Sequence, residues 1–169
     1  MRIEIPHNKV FNTSFAERFA FNVDMLNYRI NRLLAIDTFQ KENMQEYQMV
    51  FDATMTLFRS IFLENRNVNY TMQNYFTLTG RQETADKLNE LFDQPFTAYM
   101  DKSIRDVLKF IIDKFVCHQD KITYEEIGLC NAWMANLNNP YFEINLSHIV
   151  EEINKIIDNA PRLQLNDNE

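Results

Sequence analysis

The sequence is poor in the residues that break helices. Its 169 residues include only 2 glycines and 4 prolines, which argues for long helices and against many tight turns. The 2 cysteines, Cys117 and Cys130, form no C-x-x-C pair and lie in apolar segments, so we interpret them as buried thiols rather than as a disulfide or a metal pair.

Long apolar runs are also missing. None reaches the roughly 18 residues that a membrane-spanning helix needs. The first ten residues, MRIEIPHNKV, carry charges and a proline where a signal peptide has its apolar centre. We therefore expect a cytoplasmic protein with no membrane contact.

What the chain does contain is apolar and aromatic material. Hydrophobic residues make up 46% and aromatic residues 13%, enough to fold rather than stay disordered. Its length suits one domain, which we place at residues 1–160, followed by a frayed acidic tail at 161–169. The formal net charge of -7 does not favour binding of nucleic acid through a broadly basic surface, although a local basic groove remains compatible with it.

Apolar residues recur at helical spacing along nearly the whole chain. The first helix, over 14–38, opens with the capping box Ser14–Glu17, and a second capping box, Thr123–Glu126, opens a later one. We predict helices over 14–38, 42–65, 81–92, 95–118, 124–137 and 146–158, with an Asn-rich link at 65–75 that ends in a short helical turn. The predicted inward face of the first helix comprises Phe15, Phe19, Val23, Leu26, Ile30, Leu33 and Leu34. This pattern predicts an all-α fold, a bundle of five to six helices.

The segment 95–118 is predicted to be one of the longest continuous helices. Asp93 is placed to cap it, and Pro95 suits a first turn, where a missing N–H costs nothing. Six apolar residues then share one face up to His118. They are Phe96, Met100, Ile104, Val107, Ile111 and Phe115.

Metal and cofactor chemistry have little support in the sequence. No Glu-x-x-His pair of the kind that di-iron bundles use is present, and the three histidines, His7, His118 and His148, are far apart without H-x3-H spacing. No Gly-rich phosphate loop or G-x-S-x-G motif occurs. We expect no metal and no cofactor.

His118 is the most informative residue because it ends an apolar stripe that does not require an imidazole. Lys114 lies one helical turn before it on nearly the same line, while Arg105 is more than three turns away and about 140° round the helix. Two interpretations remain open: a working residue of an active site, or a polar helix end that caps the final carbonyls and pairs with Asp120.

Two stretches resemble the HEPN (higher eukaryotes and prokaryotes nucleotide-binding) helical family, in particular its abortive-infection branch in bacteria. They are FDATMTLFRSIFLENRN at 51–67, with Arg59 in mid-helix, and SIRDVLKFIIDKFVCHQD at 103–120. The resemblance extends over about residues 14–157. In active members of that family an arginine and a histidine form a metal-independent ribonuclease site, usually across a homodimer interface. Such chemistry needs a proton shuttle and a cation for the phosphorane charge.

The resemblance carries over His118, Asp113 and Asp120, but not the family's arginine. That arginine precedes the histidine by four to six intervening residues, and these positions here are Ile111, Ile112 and Asp113. The nearest cation is Lys114. The resemblance therefore implies a catalytic set of His118, Asp113 and Lys114, with Arg59, Arg66 and Asp120 as substrate-binding residues.

Three functional hypotheses follow. The first is an RNA- or nucleotide-associated accessory protein of a bacterial defence or stress system of toxin–antitoxin type, with a degenerate ribonuclease motif. The second is an active metal-independent endoribonuclease in which Lys114, Arg59 or Arg66 replaces the missing arginine. The third is a purely structural protein-interaction module. We expect a homodimer with the end of helix 95–118 near its two-fold axis, and His118 semi-exposed in a cleft beside Lys114 or Arg59.

Overall fold

The protein is a bundle of α-helices. The structure, a computed structural model, describes residues 2–3, 13–37, 40–64, 71–96, 99–117, 123–124, 128 and 146–159. Helical turns account for 83% of these residues, so the predicted all-α class is confirmed. Within them lie six α-helices and one short hairpin: α1 (Thr13–Ala35), α2 (Met44–Phe58), α3 (Met72–Leu78), α4 (Gln82–Asp93), β1 (Pro95–Phe96), β2 (Tyr99–Ser103), α5 (Ile104–Ile111) and α6 (Leu146–Asp158). The predicted helix 124–137 and the predicted tail 161–169 fall mostly or wholly outside the described residues.

None of the helices in the described ranges is long and apolar enough to cross a bilayer.

The first helix buries the predicted stripe with one exception among its described side chains, to which Phe15 does not belong. Phe19, Val23, Leu26 and Ile30 are each at most 1% exposed, and their three- and four-residue spacing puts them on one face. Burial of such a side chain contributes roughly 1.5–3 kcal/mol. Leu34, predicted to point inward, is 55% exposed, because it lies about 100° round the helix from its buried neighbour Leu33.

The centre of the core is aromatic. Phe58 at the end of α2 lies 4.9 Å from Phe62 between ring centroids, and both contact Phe92 of α4, at 6.2 and 5.9 Å. All three side chains are fully buried. Aromatic pairs at such separations stabilise a core beyond the area that they bury. The cluster therefore joins α2 to α4.

A structured turn joins α3 to α4. Thr71 caps the start of α3 by accepting a hydrogen bond from the Asn74 amide. At its end Gly80 adopts φ +73°, while the Arg81 amide donates to the Phe76 carbonyl at 2.8 Å and the Gly80 amide to Thr77 at 3.1 Å. These paired bonds form a Schellman motif, which requires a left-handed residue that glycine adopts without strain.

The prediction of one continuous helix over 95–118 is wrong, because its first part forms the two strands of a hairpin, Pro95–Phe96 and Tyr99–Ser103. Gln94 has ψ 143°, the extended conformation that a following proline favours. Pro95 pairs with Ser103, and Phe96 with Tyr99. Helix α5 then starts at Ile104 with its own capping box.

That capping box shows why the helix starts late. Ser103 Oγ accepts from the Asp106 amide at 3.1 Å, and the Asp106 carboxylate accepts from the Ser103 amide at 3.3 Å. Asp93 does not cap this helix; it accepts a hydrogen bond from Arg105 Nε at 2.8 Å. Apolar residues do recur at helical spacing in this segment. Pro95 and the Ser103 cap nevertheless divide it into a hairpin and a shorter helix.

Helices α2 and α5 both widen at their ends into π turns, in which each backbone hydrogen bond spans five residues rather than four. The first π turn is Arg59–Leu63 and the second is Ile112–Cys117. The π turn of α5 packs against α2, and the π turn of α2 packs against α5. Such turns are rare in proteins, and where they do occur they are often part of a functional site. The junction of the two π turns is therefore the candidate site.

Candidate functional site

Arg59 and Asp113 meet across the junction of the two π turns. Arg59 Nε lies 3.1 Å from Asp113 Oδ1, and Nη2 donates to Oδ2 at 3.4 Å. On its other side, Arg59 Nη1 lies 2.6 Å from Glu64 Oε1. One guanidinium thus joins the end of α2 to the end of α5.

The contact to Asp113 is an ion pair with poor hydrogen-bond geometry. Arg59 Nε is buried and has no aligned hydrogen-bond partner, even though Oδ1 is within ion-pair distance. We regard the ion pair as the meaningful contact, because charge attraction depends on distance more than on the N–H angle. A well-formed bidentate pair would occupy Nε fully, so Arg59 retains a donor that its protein partners do not use well.

The cluster is partly open to solvent. The side chains of Arg59, Asp113 and Glu64 are 28%, 41% and 26% exposed. With one cation and two carboxylates, the three side chains carry a formal charge of -1. A phosphate group that approaches Arg59 must therefore compete with two carboxylates, so this arrangement holds the guanidinium in place rather than presenting it freely.

Two of the six predicted site residues, Arg59 and Asp113, are brought together by the fold. Lys114 is half-buried in the same π turn as Asp113, next to the pair along the chain. His118, Asp120 and Arg66 lie outside the described residues, so the semi-exposed position predicted for His118 stays a prediction. What the structure shows is that Arg59 reaches the turn that precedes His118 in the sequence.

Arg105, which lies in the predicted helix 95–118, has a structural role. Its side chain is 17% exposed. It donates to Asp93, to the Phe62 carbonyl at 3.2 Å and to Asn89 at 3.2 Å, and it stacks over the Phe92 ring at 5.6 Å. With these donors occupied, Arg105 ties α5 to α2 and α4.

Glu64 is the site residue that the sequence did not reveal. It is five residues after Arg59, and rules for α-helical neighbours point to spacings of three and four. A π turn brings residues five apart into line, since its hydrogen bonds have that span. The sequence patterns considered above do not predict a π turn at this position.

His148, the histidine in the described ranges, does not line the Arg59 cluster. It lines a cleft of about 140 Å³ together with Leu91, Gln94, Ile104, Ile149 and Glu152. Across the described ranges, no group of three or more His, Cys, Asp or Glu side chains could hold a metal ion. The described part of the Arg59 cluster offers charge and hydrogen bonding, with Asp113 and Glu64 as its carboxylates.

No family model, curated protein or solved structure matches the chain.

Proposed function

We propose that this chain is a HEPN-like accessory protein that associates with RNA or a nucleotide in a bacterial defence or stress system, as a homodimer and without ribonuclease activity. The observation that carries the proposal is the Arg59–Asp113–Glu64 cluster. It lies where the two stretches that resemble the family meet. Active members of the family have an arginine shortly before the histidine. Asp113 occupies one of the equivalent positions in this chain.

Arg59 supplies from the neighbouring helix the cation that the motif lacks. It reaches Asp113 in space, although the two residues are 54 positions apart. Two carboxylates neutralise it, and this supports association rather than catalysis, since a catalytic cation must be directed at the phosphorane charge. The Asn-rich stretch 65–75 follows Glu64 directly and carries amides and tyrosines suited to bases and phosphates.

One observation favours an active endoribonuclease as the second candidate. Arg59 is already held against the helical turn that leads to His118, so displacement of its carboxylates by RNA would leave a cation beside that histidine. The purely structural module is the remaining alternative, in which Arg59 serves only to tie α2 to α5.

A binding and cleavage experiment separates the three functions. Fluorescently labelled single-stranded RNA is mixed with the protein in EDTA, and both anisotropy and fragment size are followed as salt is varied. We expect binding without cleavage, weakened by Arg59→Gln and His118→Ala. Loss of one phosphate contact lowers the slope of log affinity against log salt by about one.

Glu64→Gln is the most informative variant. It removes a carboxylate that competes with RNA phosphate for Arg59, and it keeps the shape of the side chain. We expect it to tighten RNA binding. The matched control is Glu46→Gln, which removes the same negative charge from an exposed ion pair with Arg32 elsewhere on the surface. Cleavage that disappears in His118→Ala would establish the nuclease instead. Absence of binding by the wild type, with Glu64→Gln unchanged, would leave the structural module.

A further inference from the structure

Arg81 is a buried arginine whose charge has no partner among the described residues. It lies between α3 and α4, and it is 7% exposed. In the part of the chain that the structure describes, no carboxylate lies within 4.0 Å of its guanidinium. Its Nε is buried and donates to no acceptor among those residues. Arg59 and Arg105, both more exposed, have carboxylates beside them.

A guanidinium in this position is energetically unusual. Arginine keeps its proton under all ordinary conditions, so it cannot become neutral when it is buried. Removal of an ion from water carries an effective penalty of several kcal/mol unless a counter-charge compensates it. Arg81 therefore calls for an anion that the described side chains do not provide.

The same residue begins a helix whose first amides have no side-chain cap in the described part of the chain. Arg81 is the N-cap of α4, and its side chain makes no capping bond. The amides of Thr84 and Ala85 donate to the Arg81 carbonyl at 3.1 and 3.2 Å. For the amides of Gln82 and Glu83, no acceptor is found among the described residues. Unpaired amides at a helix start attract anions.

The side chains of that first turn face away from its amides. Gln82 donates forward to Asp86 at 2.8 Å, and Lys87 donates back to Glu83 at 2.7 Å. Both pairs run along the helix, so neither first-turn side chain folds over the amides as a capping box would. The pairing of Glu83 with Lys87 also offsets the one carboxylate that would repel an anion here.

Tyr75 lies close to the Arg81 charge. Its ring is 3% exposed and stacks on Phe19 at 4.9 Å. Burial raises the pKa of Tyr75 above its ordinary value, and the nearby Arg81 guanidinium offsets part of that rise. The two side chains thus interact electrostatically across the turn that joins α3 to α4.

We propose that Arg81 and the uncapped start of α4 form a binding site for a small oxyanion, either a phosphate group or a carboxylate. The guanidinium supplies positive charge, and the amides of Gln82 and Glu83 supply directed hydrogen bonds. The site does not depend on the function of the Arg59 cluster, because it uses none of the same residues.

The direct test is an NMR titration of the full chain, labelled with nitrogen-15, with sodium phosphate and separately with sodium acetate. Chloride at matched ionic strength is the reference. We expect saturable shifts of the Gln82 and Glu83 amides with at least one oxyanion, and the comparison identifies phosphate or carboxylate as the preferred class. Amides that move no more than in chloride would overturn the site, whatever any variant does.

Arg81→Met tests the guanidinium, since methionine fills apolar space without charge. We expect at least a tenfold loss of oxyanion affinity, and loss of the rise in Tm that the wild type shows when the preferred oxyanion replaces chloride. Arg32→Met is the matched control and should keep both. If Arg81→Met lowers the Tm equally in chloride and in the oxyanion, and the rise on oxyanion addition persists, Arg81 is structural and the proposal fails.

Discussion

The guanidinium of Arg59 and the carboxylate of Asp113 lie 3.1 Å apart at their nearest atoms, although 54 positions separate the two residues in the chain. Each stands on a π turn, and the two turns pack against the neighbouring helix ends. The pair therefore reports directly on the register of α2 relative to α5.

A double-mutant cycle measures this pair. Arg59→Gln, Asp113→Asn and the double variant are compared by urea unfolding. Both side chains are more than a quarter exposed, so water screens the pair, and we expect a coupling of about 0.5–1 kcal/mol that weakens as salt is raised. Arg2 and Asp24, which lie 3.4 Å apart and are about two-thirds exposed, form the reference pair. A coupling no larger than theirs would show that Asp113 does not hold Arg59 in solution.

Asn27 is expected to be a strong determinant of stability. Its side-chain amide donates to the Ile3 carbonyl at 2.8 Å, and its oxygen accepts from the Ile3 amide at 2.7 Å. Both residues are buried, so Asn27→Ala leaves two backbone groups without partners and should lower the free energy of unfolding by about 2–3 kcal/mol. Gln45→Ala, at an exposed position of α2, should change it by less than about 0.5 kcal/mol. Equal effects of the two variants in urea unfolding would disprove the role of Asn27.

The start of α5 depends on Ser103. Ser103→Ala removes the hydroxyl that accepts from the Asp106 amide, and loss of such a cap costs about 1 kcal/mol. Ser60→Ala makes the same chemical change at an exposed position and should be nearly neutral. Thermal unfolding followed by circular dichroism distinguishes the two. If Ser103→Ala has the Tm of the wild type, helix α5 does not rely on this cap.

Substitutions at Gly80 test backbone strain separately from side-chain packing. A Cβ at this position would meet no heavy atom within 4 Å, yet φ is +73°. Gly80→Ala should therefore destabilise the protein by about 1 kcal/mol through the left-handed conformation alone. Gly80→Asn should cost less, because asparagine tolerates that conformation better. Calorimetric Tm values in the order glycine, asparagine, alanine are expected, and alanine at or above asparagine would contradict the strain argument.

The apolar faces could be derived from the sequence because spacing alone determines them. Leu88 and Phe92 of α4, and Val150 and Ile153 of α6, recur at four- and three-residue spacing and are fully buried. The hairpin could not be derived in this way, since Phe96 and Ile104 fit a helical stripe as well as they fit a hairpin followed by a helix. The decisive signals were local: Pro95, which restricts the residue before it, and the Ser103–Asp106 capping pair.

The candidate site shows a second kind of limit. Sequence resemblance selected Arg59 and Asp113 separately, with different roles, but their pairing is a tertiary contact that no local pattern contains. Glu64 and Arg81 were missed for physical reasons too. Glu64 depends on a π turn, and Arg81 depends on burial with no counter-charge among the described residues, which is a property of the tertiary structure.

The π turn at Arg59–Leu63 also affects how this helix can change length. Loss of one residue inside an α-helix rotates everything beyond it by about 100°, which would turn the buried side chains of the next turn towards water. A π turn already holds one residue more than an α turn, so loss of one residue there returns the backbone to ordinary α geometry. The end of α2 is thus the point where the chain can lose a single residue while the segments on both sides keep their orientation, and Arg59 is the first residue of this π turn.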